Sequence, residues 1–200
     1  MKTAKKTSEI SHFPVMLEEV IKICRPDKGG NFLDCTFGGG GYSKKILSFP
    51  GTKVIAIDRD IKVEKEASKL KKKYPDRFSF FNAKFSNLDK IISDGNKLDK
   101  IIFDLGVSNF QLKDKERGFS FNSSGSIDMS MGLSDISAED ILNNYKPEDL
   151  KNILKYLGEE KEASKIVKNI IKERKLKKIK LVSQLVDIIK RSKKKILKKK

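Results

Sequence analysis

Short apolar runs alternate with amphipathic stretches over the first half of the chain. Four runs have the length of strands and are rich in β-branched or aromatic residues: 31–37, 52–58, 77–83 and 98–106. Helical spacing of apolar residues separates them over 42–49, 60–73 and 85–93, and precedes them over 14–24. Because parallel strands need crossover connections, this alternation predicts an α/β fold, with a parallel sheet and helices on its faces.

The second half of the chain has a different pattern. Residues 117–132, RGFSFNSSGSIDMSMG, are rich in Gly, Ser and Asn and predict a long ordered loop of a kind that is commonly functional. Amphipathic helices are predicted over 137–145, 147–157, 159–175 and 180–192, with Ser137 capping the first and Pro147 opening the second. We therefore expect a core region, 1–112, followed by a loop and a helical domain, 113–200, which is basic at its end.

The positive charge is concentrated near the C-terminus. Residues 165–200 hold sixteen Lys and Arg against two acids, which supplies +14 of the formal net charge of +17. This density is typical of segments that bind nucleic acid or an anionic membrane surface, although a single lysine more often decorates a solvated helix face.

Composition also sets expectations about compartment and metals. The two cysteines lie eleven residues apart and His12 is the single histidine, so neither a zinc cluster nor a disulfide framework is predicted, and His12 receives no role. The basic residues 1–11 are not followed by an apolar core and no eighteen apolar residues run together, so neither secretion nor membrane spanning is expected. We expect a cytoplasmic protein with no metal and no membrane segment, while the sequence leaves the oligomeric state open.

Four consecutive glycines, 38–41, follow the first predicted strand and precede a predicted helix. In a doubly wound sheet a glycine-rich first turn lets a cofactor approach the backbone. Ser43 stands where the dinucleotide fingerprint needs its third glycine, and it also breaks the phosphate-binding loop motif. The loop therefore predicts a cofactor site without a phosphate motif and disfavours nicotinamide-dependent reduction, which remains a third alternative.

The other predicted strand ends carry residues suited to an adenosine. Asp58 ends the second strand about twenty residues after the loop, where a carboxylate can accept hydrogen bonds from ribose hydroxyls. Asp60 is the competing choice, but it is better placed to cap the next helix. Phe85 could pack on a purine or be an ordinary core residue, and Asp104 ends the fourth strand. Together these ends predict an adenosine-containing cofactor.

The chain resembles the bacterial small-subunit rRNA (cytosine-N4)-methyltransferase family known as RsmH or MraW. The motifs that carry the resemblance are HFPVMLEEV, DCTFGGGGYS, AIDRD, FSNL, DLGVSNFQL, ERGFSF, IDMSM and GEEKEASKIV. The resemblance implies a Rossmann-like S-adenosylmethionine-dependent methyltransferase core with a helical insertion domain. It implies S-adenosyl-L-methionine as cofactor and ribosomal RNA or the small ribosomal subunit as partner. The implied cofactor contacts are Gly40, Gly41, Tyr42, Asp58, Phe85, Asp104 and Gln111.

Catalytic residues are not assigned. Asp104 or a carbonyl of the Leu-Gly-Val-Ser turn, 105–108, could accept a hydrogen bond from the target amine, and Asp104 could instead hold the ammonium group of the cofactor. Arg117, Phe119 and Phe121 could receive an unstacked base, whereas the plain alternative is that both phenylalanines anchor the loop to the core. The lysines from Lys165 onward are expected to bind phosphates without reading sequence.

The resemblance also indicates departures from the family. Asn109 and Phe110 replace a Ser-Pro pair, Ser130 replaces an arginine, and Lys161 and Glu162 replace aromatic and basic residues. Family members continue beyond residue 200 through the strands that complete the sheet, so we expect an incomplete parallel sheet with an open edge at its fourth strand. A truncated, non-catalytic RNA-binding relic is therefore the alternative function.

Overall fold

The computed structural model describes residues 14–92 and 97–193. His12 and the lysine-rich residues 194–200 lie outside this part of the chain. The chain divides into two compact units, Met1–Gly106 and Val107–Lys200. The boundary predicted from the sequence lies six residues later, between residues 112 and 113.

The first unit contains a four-stranded parallel sheet, which confirms the predicted α/β class. Its strands are β1 (Gly30–Asp34), β2 (Thr52–Asp58), β3 (Phe78–Asn82) and β4 (Lys100–Ile102), in the spatial order β3-β2-β1-β4. Leu33 of β1 lies opposite Ile55 on one side and Ile101 on the other. The strand order reverses between β1 and β4, and open α/β sheets bind ligands beyond the carboxyl ends of the strands at such a reversal.

Four α-helices belong to the described part of this unit: α1 (Leu17–Cys24), α2 (Gly41–Leu47), α3 (Glu64–Lys73) and α4 (Leu88–Ile91). Single 3₁₀ turns cover Pro26–Lys28, Ile61–Val63 and Phe85–Asn87. Side chains of alternate strand residues, including Phe32, Val54, Ala56, Phe78 and Ile102, form one apolar cluster with residues of α1, α2 and α3. Leu33, Cys35 and Ile57 form a smaller cluster with residues of α4. The sheet is thus packed on both faces, as its continuous apolar strands require.

The β4 strand forms one edge of the sheet. Among the described residues β4 pairs with β1 alone, so an open edge lies where the sequence predicts it. Ile102 is buried, whereas Ile101 and Phe103 on either side of it are about half exposed. An edge of this kind offers both unpaired backbone groups and apolar side chains to another polypeptide.

The second unit is helical, as predicted. It contains α5 (Asn109–Lys113), α6 (Ala138–Asn144), α7 (Pro147–Asn152), a π-helical turn (Ile153–Leu157), α8 (Ala163–Leu176) and α9 (Val182–Lys193). Ser137 caps α6 and Pro147 is the first residue of α7, which confirms both predictions. The core of the unit is formed by apolar side chains of α6 to α9 and the adjoining loops: Ile127, Leu142, Leu150, Ile166, Val167, Ile170, Ile179, Val182 and Ile188.

The sequence pattern does not predict α5. Ser108 accepts a hydrogen bond from the backbone N–H of Gln111, whose side chain in turn accepts one from the Ser108 N–H. Such a reciprocal capping box is a helix-start signal that the short polar sequence Ser-Asn-Phe-Gln carries.

None of the helices in the described residues combines the length and the apolar content needed to cross a bilayer.

Candidate functional site

The candidate site lies at the carboxyl ends of the strands of the first unit. Asp34 ends β1, Asp58 ends β2 and Asp104 follows β4 by two residues. The loop 35–40, which joins β1 to α2, is linked to all three of these residues through the hydrogen bonds described below. The carboxylates of Asp34 and Asp58 and the backbone N–H of Asp104 therefore contact one glycine-rich loop at the point where the strand order reverses.

Asp58 holds the middle of this loop. Its Oδ2 accepts a hydrogen bond from the Gly38 N–H at 2.7 Å, and its Oδ1 accepts one from the Asp60 N–H at 2.8 Å. Burial raises the pKa of Asp58 above its ordinary value, against the lowering effect of the two N–H donors. Each carboxylate oxygen can accept a second hydrogen bond, so Asp58 retains acceptor capacity for a ribose diol. Asp60 accepts from the Lys62 N–H and caps the Ile61–Val63 turn, as the sequence predicts.

Asp34 joins the two ends of the loop. The fully buried Asp34 carboxylate accepts the Ser43 hydroxyl at 2.6 Å and the Thr36 N–H at 3.3 Å. The Thr36 hydroxyl accepts the Asp104 N–H at 2.8 Å and so ties the loop to the end of β4. Burial raises the pKa of Asp34 to about 6, opposed by the Ser43 hydrogen bond. These roles of Asp34, Thr36 and Ser43 are not among the sequence predictions. The signal in the sequence is an acid that ends a strand, followed by hydroxyl residues on either side of the glycines.

A side chain does not fit at Gly40 or Gly41, because other residues of the protein pack against both positions. A Cβ on Gly40 would lie 2.7 Å from the Phe37 ring, and one on Gly41 would lie 2.2 Å from Pro14 Cγ. Gly38 differs, because a Cβ there would meet nothing nearer than a backbone oxygen at 3.9 Å. The open side of the loop is therefore at Gly38, while the role of Gly40 and Gly41 as cofactor contacts stays a prediction.

Alanine substitutions should separate these two kinds of glycine. Gly41→Ala is expected to lower the free energy of unfolding by roughly 1–3 kcal/mol, because its Cβ must displace Pro14. Gly38→Ala should cost about 1 kcal/mol, from its φ of +51°, but should weaken cofactor binding by placing a methyl group on the open side. Urea denaturation and titration with S-adenosylhomocysteine measure the two effects. A Gly38→Ala variant that binds the ligand as wild type does would contradict this assignment of the open side.

The side chain of Tyr42 is engaged within the protein. Tyr42 is buried, and its hydroxyl donates a hydrogen bond to the Val15 carbonyl. Burial, with smaller contributions from the charges of Asp104 and Asp34, raises the pKa of Tyr42 to about 12. The predicted contact of Tyr42 with a cofactor would therefore be made by its backbone or by the edge of its ring, and not by its hydroxyl.

Phe85 lies on the surface beside the end of β4. It is 43% exposed and meets the Phe103 ring edge-on, with a centroid distance of 5.5 Å. An ordinary core phenylalanine would be buried, so the structure favours the reading of Phe85 as an available aromatic face. Gln111 belongs to the second unit, where it is buried and closes the capping box of α5.

The loop of the second unit contains the three residues considered for base binding. Arg117 is buried, lies over the Phe119 ring at 5.1 Å and donates to the Ser130 carbonyl at 2.7 Å. These contacts give Arg117 and Phe119 a role in holding the loop together. Phe121 is 77% exposed and does not anchor the loop to the core. Within residues 14–92 and 97–193, no cluster of three or more His, Cys, Asp or Glu side chains could hold a metal ion.

A parallel sheet with a reversal of strand order, a glycine-rich first turn and acidic strand ends defines a Rossmann-like α/β domain of the kind that binds nucleotide-containing cofactors. The chain belongs to the MraW methylase family, whose sequence model matches residues 9–200. This confirms the family resemblance carried by the motifs.

Curated relatives carry the name ribosomal RNA small subunit methyltransferase H. The protein from Wolbachia sp. subsp. Drosophila simulans (strain wRi) is 42% identical over 183 residues, which cover 90% of this chain and 62% of that protein. The protein from Orientia tsutsugamushi (strain Ikeda) is 43% identical over 178 residues, covering 89% of this chain and 57% of that protein. The chain therefore spans about three fifths of the length of these relatives.

Proposed function

We propose that this chain takes part in methyl transfer from S-adenosyl-L-methionine to the N4 amine of a cytosine in small-subunit ribosomal RNA. The observation that carries the proposal is the convergence of Asp34, Asp58 and Asp104 on the glycine-rich loop. Membership of the MraW methylase family and the names of the relatives support it.

The residues at the strand ends fit this cofactor. S-adenosylmethionine has a ribose diol, an aromatic purine, and sulfonium and ammonium charges that favour acidic surroundings. Asp58 keeps acceptor capacity for the ribose, Phe85 offers an exposed ring for the purine, and the loop is open at Gly38. Asp104 places a third acid beside the same loop, since its N–H donates to Thr36.

The work of the protein in such a reaction is mainly positioning. When bound, the cofactor supplies a methyl group already activated by the sulfonium charge. The exocyclic amine of cytosine is a weak nucleophile because its lone pair is delocalised into the ring, so an acceptor that draws on its hydrogens and holds it in line should help. Asp104 can serve as that acceptor, or it can bind the ammonium group of the cofactor.

Two measurements test this function. Isothermal titration should detect binding of S-adenosylmethionine, and small ribosomal subunits incubated with labelled cofactor should yield N4-methylcytidine on nucleoside analysis. Asp104→Asn separates the two roles: lost transfer with unchanged affinity assigns it to the amine, and lost affinity assigns it to the cofactor. The full-length Wolbachia relative is the positive control. No cofactor binding at any concentration would contradict the proposal.

The alternative function is a non-catalytic RNA-binding module. The observation that favours it is the open edge of β4 among the described residues. Its signature is RNA binding without cofactor binding, which the same titration distinguishes.

A further inference from the structure

The connection between α8 and α9 is a rigidly held basic segment. We define the basic segment as residues 177–180, Lys-Lys-Ile-Lys. Its Ile179 is fully buried in the core of the second unit, while the three lysines are exposed. The Ile179 backbone is held on both sides by one side chain, because Asn143 donates to its carbonyl and accepts from its N–H at 2.8 and 2.9 Å. The lysines are therefore presented from a fixed backbone.

Several cations of α8 and α9 have partners within the unit, whereas Lys168, Lys172, Lys175 and Lys190 share with the basic segment the lack of an ion pair among the described residues. Arg174 donates to the carbonyls of Leu142 and Tyr145 at the end of α6. Arg191 and Lys193 form ion pairs with Glu173 and Glu160.

Among the described residues, no ion pair involves the lysines of the basic segment. One of these lysines, Lys178, interacts electrostatically with Asp140. The pKa of Asp140 is lowered mainly by the Ser137 hydroxyl and to a smaller extent by the charge of Lys178. These three charges are thus available to an external anion.

An exposed aromatic residue is carried by the neighbouring loop of the same unit. The Ile127 N–H donates to the Lys180 carbonyl at 2.9 Å, and the Val182 N–H donates to the Gly125 carbonyl at 3.3 Å. The loop attached in this way carries Phe121, which is 77% exposed. Phe121 therefore offers an exposed aromatic face on which an unpaired base can stack.

We propose that the basic segment and Phe121 form a docking site for single-stranded RNA, with the lysines on phosphates and Phe121 stacked on an unpaired base. Cations along a backbone together with an aromatic platform are the general means of binding single strands. A bilayer is a poorer fit, because most apolar side chains of α8 and α9 are packed in the core of the unit, although Leu176 at the end of α8 is exposed. The choice of RNA rests on the proposed function, whereas the site itself does not require methyl transfer.

Binding of a fluorescent oligouridylate to the whole chain, without cofactor, tests the site. Replacing Lys177, Lys178 and Lys180 with alanine should weaken binding at least about tenfold at ~50 mM salt and reduce the slope of log affinity against log salt by about 2. Replacing the same lysines with arginine should preserve both values. Phe121→Ala should weaken binding by about tenfold and leave the salt slope unchanged.

Matched controls make the result specific to this site. Lys53, Lys65 and Lys72 are exposed lysines of the first unit, and their joint replacement with alanine removes the same charge. If that control weakens binding as much as the basic-segment variant, or if a duplex of the same length binds as tightly as the single strand, the site is wrongly placed. Binding to phosphatidylserine vesicles in the absence of RNA binding would overturn the proposal in favour of a membrane surface. Oligouridylate binding that follows these expectations without any methyl transfer would uphold the site and reject the proposed function.

Discussion

Asp58→Ala is expected to weaken binding of S-adenosylhomocysteine about 100-fold, the effect of losing two hydrogen bonds to a charged acceptor at ~1.5 kcal/mol each. The carboxylate is positioned for this role because Gly38 and Asp60 each donate a backbone N–H to one of its oxygens. Isothermal titration measures the loss directly.

A ligand analogue separates recognition of the ribose from a general loosening of the loop. Wild-type protein should bind the 2′-deoxy analogue of S-adenosylhomocysteine more weakly than the parent compound, whereas Asp58→Ala should bind both with similar affinity. Asp76→Ala, which removes an exposed acid beyond the end of α3, is the control and should bind as wild type does. A variant that still discriminates between the two ligands would show that Asp58 does not contact the ribose.

The placement of Asp58 could be predicted because it depends on a strong pattern. The buried strands are continuous apolar runs, and parallel strands bring their carboxyl ends to one edge of the sheet. An acid that ends such a run, about twenty residues after a glycine loop, is thereby placed without knowledge of the side-chain packing. The family was predicted on a different basis, from the resemblance of the quoted motifs to a known family.

The sequence pattern could not show what depends on packing between distant residues. Gly40 and Gly41 suggest close approach by a ligand, yet the groups that approach are Phe37 and Pro14, and no periodicity reveals that contact. Arg117 stands in a polar loop and looks available, but it is buried against its own loop.

The start of α5, in contrast to these packing contacts, could have been predicted, because the residues of its capping box stand in the sequence. The helix has only five residues, Asn109–Lys113, and is too short for an apolar stripe. Periodicity therefore gives no indication of it, and the cap residues alone mark its start.

Asp34→Asn is expected to change how stability depends on pH. Burial raises the pKa of Asp34 from 3.8 to about 6, so the folded state favours the protonated carboxyl. Its contribution to the free energy of unfolding is therefore highest below pH 3.8, falls as the pH rises towards 6, and is constant above that. A shift of about two pKa units corresponds to roughly 3 kcal/mol.

Asparagine has no charge to bury and can still serve both partners, because its amide oxygen can accept from the Thr36 N–H and its amide nitrogen can donate to the Ser43 oxygen. The unfolding free energy of Asp34→Asn minus that of wild type should rise by roughly 3 kcal/mol between about pH 4 and pH 7, as urea denaturation across this range would show. Taking the difference largely cancels the contributions of titrating groups that do not interact with Asp34, whereas the charge of Asp58 is coupled to it. Asp76→Asn is the exposed control and should show no such trend. A difference that stays flat would mean that folding does not shift the pKa of Asp34, and one that falls with pH would mean that its hydrogen bonds stabilise the charged carboxylate.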